Sequence, residues 1–255
     1  MRVLVTGASQ GIGAAVAERF AAEGAEVHLV ARGAVALAAV VERITARGGW
    51  AVAHVADLAD ERLVLALAEE VGPVDVLVNN AGIGRWLFLD DTAPDELRGM
   101  TALPYSSYAL LTSLLLPAMR ERGSGRLVFL NSPASRIAIP GATGYTAARW
   151  AVRGLVAALR QDLRGTGVGV TEVVPGAVRS NYFDNNPGSA ERIPRVVSRL
   201  VPTLTPERVA AEVVKAVARG RSEVVFPWQI KLFDLVGRVI PGAVAYLAWR
   251  TGVHR

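Results

Sequence analysis

The chain has 255 residues, 51% of them hydrophobic, and a formal net charge of +5. That length buries one sizeable core and is ordinary for one α/β domain spanning residues 1–255. There is no cysteine, which excludes disulfides, a thiol nucleophile and a thiolate metal site. The histidines His28, His54 and His254 show no metal-ligand spacing and read as structural, so no metal is expected. Of 28 basic residues only Lys215 and Lys231 are lysine, and the arginines are scattered along helices as a solvated basic surface. Without a basic tract interleaved with aromatics, a nucleic-acid partner is not expected.

In chain order, strand-length apolar runs fall at 2–6, 26–31, 50–56, 74–79, 126–131, 168–174 and 223–226. Ala-rich segments with helical character lie between them at 11–23, 34–47, 60–71, 104–121, 144–164 and 206–219. Continuous apolar strands separated by helices predict a Rossmann-like, doubly wound α/β fold, with a parallel sheet of about seven strands and helices on both faces. Met1 leads straight into the first strand without a charged, apolar leader, so the chain is expected to begin in its domain and to be cytoplasmic. Two segments break the alternation. Residues 177–205 hold Asn185-Asn186-Pro187-Gly188 and several prolines, and read as a long, partly mobile excursion. Residues 227–255 concentrate large apolar side chains.

The first strand runs into Thr6-Gly7-Ala8-Ser9-Gln10-Gly11-Ile12-Gly13, which opens a helix. Glycines there let the backbone approach a pyrophosphate, and the helix N-terminus offers it unpaired N–H groups. Strand, glycine turn and helix in that order predict a dinucleotide site.

These residues, with Asn79-Asn80-Ala81-Gly82 after the fourth strand, Asp57-Leu58 after the third and Pro175-Gly176-Ala177-Val178-Arg179-Ser180 after the sixth, resemble the short-chain dehydrogenase/reductase family over nearly the whole chain. The resemblance implies a cofactor bound by Gly7, Ser9, Gln10, Gly11, Ile12 and Gly13, by Arg32, Asp57 and Leu58, and by Asn80, Ala81 and Gly82. It extends that set to Tyr145, Arg149, Pro175, Gly176, Val178 and Ser180. The second strand ends Ala31-Arg32, with no carboxylate to hold a ribose 2′-hydroxyl and a guanidinium able to pair with a 2′-phosphate. NADP(H) is therefore expected over NAD(H). Gln10 stands where family members preferring NADP often carry a second basic residue.

In the family a tyrosine acts as general acid/base on the substrate oxygen and a serine holds that oxygen. A lysine four residues after the tyrosine binds the ribose and lowers the tyrosine pKa, and an asparagine on the preceding long helix supports a relay water. Ser132 and Tyr145 match the first two; the lysine position is Arg149 and the asparagine position is Pro104. A guanidinium keeps the positive charge and can donate to ribose, but it cannot relay a proton. Proline offers no amide and is favoured at a helix start or kink. The expected activity is NADP(H)-dependent interconversion of a ketone and a secondary alcohol on an apolar substrate. The two departures leave open a non-redox cyclase, dehydratase or isomerase using Tyr145, or a cofactor-binding pseudoenzyme. Residues 177–205, with Tyr182 and Phe183, are the expected lid; Trp86, Phe88, Tyr105 and Tyr108 are equally candidates for pocket lining or core packing. A homodimer or homotetramer is expected.

Trp228, Leu232, Leu235, Val236 and Val239 recur at helical spacing, Pro241 interrupts, and Val244, Tyr246, Leu247 and Trp249 follow. Asp234 and Arg238 disfavour a membrane span of ~20 apolar residues. The tail can pack on the domain or a partner subunit, cover a lipophilic substrate, or lie in a membrane interface, which would place the protein at a membrane periphery.

Overall fold

The structure, a computed structural model, describes residues 1–180 and 182–254. The apolar runs pair as one parallel sheet in the order β3-β2-β1-β4-β5-β6-β7. The strands are β1 (Arg2–Thr6), β2 (Glu26–Ala31), β3 (Trp50–Val55), β4 (Val76–Asn79), β5 (Gly125–Leu130), β6 (Val168–Pro175) and β7 (Glu223–Phe226). Between and after them lie α1 (Gly11–Ala22), α2 (Ala34–Thr45), α3 (Glu61–Val71), α4 (Pro94–Thr101), α5 (Ser107–Arg122) and α6 (Thr143–Asp162). The rest are α7 (Arg195–Leu200), α8 (Pro206–Ala218), α9 (Trp228–Val239) and α10 (Pro241–Thr251).

Successive strand side chains point to opposite faces, so both faces must be covered. Val3 and Val5 of β1 join a core with Phe20 of α1, Leu37 of α2 and Val213 of α8. Leu4, between them, joins a second core with Val64 of α3, Leu111 of α5 and Val152 of α6. The order reverses at β1 and β4, opening a crevice at the carboxyl ends of those strands, where ligands bind in such sheets.

The sequence-expected helix at 104–121 begins earlier and is not continuous. α4 starts at Pro94, a π-helical stretch covers Ala102–Ser106, and α5 follows. Pro104 therefore lies inside this helical run, not at its start. Its missing N–H removes one helical hydrogen bond, and a π turn is a local way to accommodate that loss.

The excursion at 177–205 is tied to the body more firmly than its composition suggests. Val178 bridges to Leu204, and α7 forms within it. The Tyr182 hydroxyl donates to Gly84 O (2.7 Å), Gly84 N donates to Asn186 Oδ1 (3.3 Å), and Trp86 N donates to the buried Ser189 Oγ (2.9 Å). The arginines are not all a solvated surface either. Arg136 is buried after β5 and pairs with Glu172 (2.7 Å), Glu223 (2.8 Å) and Asp234 (3.7 Å), which ties α9 to the sheet. His28 and His54, distant in sequence, stack between β2 and β3 with ring nitrogens 2.8 Å apart.

Candidate functional site

A cavity of about 820 Å³ opens at the carboxyl edge of the sheet. Its nucleotide end is shaped mainly by backbone. Gly7 and Gly11 adopt positive φ (65° and 57°) in the turn from β1 to α1. A Cβ on Gly7 would lie 2.9 Å from Ala81 Cα, and one on Gly11 would lie 3.3 Å from Ser180 Cβ. Thr6 Oγ1 accepts from Asn80 N (2.9 Å) and Ala81 N (3.0 Å), and Asn80 Nδ2 donates to Thr6 O (2.9 Å), so the loop after β4 is fastened to the glycine turn. Ser9, Gln10, Ile12, Arg32, Asp57, Leu58 and Gly82 line the same cavity, as do Pro175, Gly176 and Val178.

Gly13 is the exception among the expected cofactor residues, for it does not line the cavity. A Cβ there would lie 2.2 Å from Gly7 O, so its part is to let α1 pack close to the turn. Arg32 is 64% exposed and stands 3.9 Å from Asp57, at the rim. The uncovered backbone, the small Ala31 and this mobile-length cation suit an adenine nucleotide with phosphates at the α1 N-terminus.

The chemical end is made of side chains. Ser132 follows β5; its N–H donates to Asn131 Oδ1 (2.9 Å), and its Oγ accepts from Ala134 N (3.2 Å). The hydroxyl proton is thus left to donate. Tyr145, in the first turn of α6, is buried, its ring 5.5 Å from Trp86 and 6.3 Å from Tyr182. Gly84 makes room for it: a Cβ there would lie 2.8 Å from the Tyr145 ring.

One turn on, Arg149 is only 7% exposed. Its Nη1 donates to Leu130 O (3.2 Å), and its Cζ lies 5.0 Å from the Tyr145 ring centroid. A Cβ on Gly82 would lie 2.8 Å from Nη2, so the glycine leaves room for the wide guanidinium. Desolvation works against the Arg149 charge, but the oxygens of Tyr145, Tyr108 and Tyr182 outweigh it and raise its pKa. Asn131 Nδ2 holds the Arg149 carbonyl (3.3 Å) and Glu172 (2.7 Å), linking this end to the buried Arg136 cluster.

Of the four aromatic candidates for the pocket, only Trp86 lines it. Phe88 receives Arg192 over its ring at 5.0 Å. Tyr108 is 1% exposed in the core, 6.1 Å from the Phe129 ring. Its phenol is raised to about 12, because burial outweighs the nearby Arg149 charge. Met100, Ile139, Val197, Phe233 and Leu247 give the remaining wall an apolar share, beside the charged Glu96, Arg136 and Asp234. Sequence reasoning missed the Tyr108–Arg149 proximity. A tyrosine four residues beyond a proline at the asparagine position was the available signal. It also missed Arg136 and Asp234 as wall residues.

The short chain dehydrogenase family pattern matches residues 1–189. A ketoacyl reductase, HetN, from a Nostoc species is 34% identical over 252 residues, covering 95% of this chain and 86% of that protein. A hydroxysteroid 11-beta-dehydrogenase 1-like protein B from Xenopus laevis is 32% identical over 254 residues, covering 96% of this chain and 84% of that one. A metagenomic short-chain oxidoreductase solved in complex with NADP superimposes with a TM-score of 0.75 at 32% identity, covering 89% of this chain and 96% of that one. The family match, the strand order and the glycine turn agree, and the chain belongs to the short-chain dehydrogenase family.

Proposed function

We propose that the protein is an NADP(H)-dependent oxidoreductase that interconverts a ketone and a secondary alcohol on an apolar substrate, within one domain spanning the chain. The observation that carries this reading is the placement of Ser132, Tyr145 and Arg149 on the wall of the cavity that also holds the glycine turn. When bound, the nicotinamide supplies or accepts a hydride at the carbonyl carbon. Ser132 donates a hydrogen bond through its hydroxyl to the substrate oxygen and orients it, keeping its proton. Tyr145 gives a proton to that oxygen in reduction and takes it in oxidation. Arg149 provides fixed positive charge against the Tyr145 ring and a donor toward ribose. It keeps its own proton, so the proton lost by Tyr145 is replaced by another route.

Arg32 favours NADP(H), because its exposed guanidinium can leave Asp57 for a 2′-phosphate. The apolar part of the wall supports an apolar substrate, and the Nostoc and Xenopus relatives are named as a ketoacyl reductase and a hydroxysteroid 11-beta-dehydrogenase 1-like protein. Assembly as a homodimer or homotetramer and a cytoplasmic or membrane-peripheral location belong to the same proposal. The test is a spectrophotometric assay of NADPH and NADH oxidation against long-chain and polycyclic ketones. Turnover with NADPH, absent in Tyr145→Phe, is the expected result. A second reading, non-redox acid/base chemistry at Tyr145, draws on Arg149 and Pro104. Product formation without cofactor oxidation would favour it.

A further inference from the structure

α9 and α10 are apolar on two opposite faces. At 100° per residue, Ile230, Phe233 and Asp234 of α9 share one side, and all three line the cavity. Trp228, Leu232, Leu235 and Val239 lie about half a turn round, and all four are exposed, Trp228 by 69% and Val239 by 75%. α10 repeats the arrangement. Val244, Leu247 and Ala248 line the cavity, while Tyr246 and Trp249 lie opposite, exposed and with rings 5.8 Å apart. Ile240, between the helices, is also exposed. A helix at a water surface keeps its outer face polar; one that is apolar on both faces is normally covered on both.

The charges decide what covers this one. From Trp228 to Thr251 the sequence has three cations, Lys231, Arg238 and Arg250, and one acid, Asp234. All three cations are exposed, whereas Asp234 is buried and held by Arg238 (2.7 Å) and Arg136. The outer face therefore combines Trp, Tyr and aliphatic side chains with a border on which Lys231 and Arg250 are exposed cations, while Arg238 is paired with Asp234 and Glu223. Aromatic side chains and basic residues on one amphipathic surface suit the headgroup region of an anionic bilayer. Among the described residues no helix is long and apolar enough to cross a membrane, so such a surface would lie on the bilayer. A second copy of the chain would instead bring like charges together along a two-fold contact.

We propose that the outer face of α9 and α10 docks on an anionic lipid bilayer, so that the two helices separating membrane from cavity admit an apolar, membrane-dissolved substrate. The substrate clause rests on the function proposed above; the docking clause does not.

The test is cosedimentation of the whole protein, without cofactor or substrate, with vesicles of phosphatidylcholine alone or mixed with phosphatidylglycerol. Binding to the mixed vesicles, weakened by salt, is expected. The double variant Leu235→Glu/Val239→Glu should lower the bound fraction by about tenfold or more, since it removes two apolar contacts and adds repulsion. Leu63→Glu, at an exposed position of α3, serves as the control for an added charge elsewhere and should bind as the parent does. Two results would overturn the inference: no binding to either vesicle, or a dimer in sedimentation equilibrium that the double variant dissociates while vesicles bind neither form. Loss of vesicle binding with intact turnover would remove the docking and leave the proposed reaction standing. Intact docking with no turnover would do the reverse.

Discussion

The nucleotide end of the cavity is shaped by backbone, and the chemical end by buried side chains. At the first, Gly7, Gly11 and Gly13 are defined by what would collide with a Cβ, and the nearby charges, Arg32 and Asp57, stay at the rim. At the second, Arg149 sits buried against Tyr145 and close to Tyr108, and neither Arg149 Nε nor the Tyr108 hydroxyl has a well-formed hydrogen bond among the described residues. Backbone geometry tolerates few replacements, because any side chain clashes. A side-chain site can exchange one cation for another, provided neighbours adjust. That contrast explains why Gly7 and Gly13 leave no room for a side chain, whereas Gly82 leaves the space that the Arg149 guanidinium fills.

The largest expected effect comes from removing one oxygen at the chemical end. Tyr145→Phe should lower turnover by roughly 10²–10⁴-fold, the usual worth of a positioned acid/base, while cofactor affinity stays nearly constant. Steady-state kinetics with a cofactor titration measures both. A variant that keeps near-parental turnover would remove Tyr145 from the chemistry.

Arg149→Ala comes next. It should cost about 10²-fold in turnover and weaken the cofactor, because the buried fixed charge 5.0 Å from the Tyr145 ring is lost. Arg149→Lys should retain or improve redox turnover, since an ammonium fits where the guanidinium does and can relay a proton. A lysine variant that loses the native activity without gaining cofactor turnover would favour the non-redox reading. The check is a pH–rate profile of all three proteins.

Much of this division was legible in the sequence. Strand alternation, the glycine turn and Asn79-Asn80-Ala81-Gly82 are local patterns, and each expected strand has a counterpart within about two residues of its place, as local periodicity allows. The chemical end depends on contacts between distant segments. Nothing near Tyr108 in sequence says that its ring meets Phe129 and its hydroxyl faces Arg149 across the α5–α6 packing. Pro104 looked like a helix start because proline usually is one; the π turn that absorbs it needs the preceding α4, whose Asp95, Glu96 and Arg98 hide any apolar period. Arg136 was lost among 26 arginines, since its burial depends on Glu172, Glu223 and Asp234 from three other elements. Asn181 belonged to the expected lid and lies outside the described residues.

At the nucleotide end the expected effect is smaller, because its charge is exposed. Arg32→Ala should erase most of the preference for NADPH over NADH, a change of roughly 10- to 100-fold if a charge-assisted contact contributes about 1.5–3 kcal/mol. Turnover at saturating cofactor should hardly move. Equal affinity of the parent for both cofactors in a fluorescence titration would break this part of the comparison, and Asp57 would then be the partner that keeps Arg32 from a 2′-phosphate.

The smallest effect at neutral pH is expected from Tyr108→Phe, because the hydroxyl it removes lacks a well-formed hydrogen bond among the described residues. The difference should appear in alkali. Burial raises the Tyr108 phenol from 10 to about 12, so its contribution to stability is complete below pH 10. Between pH 10 and about 12 the unfolded chain ionises this group and the folded chain does not, and stability falls as the pH rises. Tyr182, half-buried and also raised by desolvation, acts in the same direction. Tyr108→Phe removes one of these two liabilities, and its alkaline unfolding midpoint should move to higher pH than the parent's, followed by circular dichroism. Tyrosinate absorbance should then rise earlier relative to unfolding in the variant, because one late-ionising phenol is gone. An unchanged midpoint would mean that the chemical end opens before its core phenols titrate, and the contrast between a rigid glycine cradle and a buried polar cluster would have to be redrawn around local opening of α5 and α6.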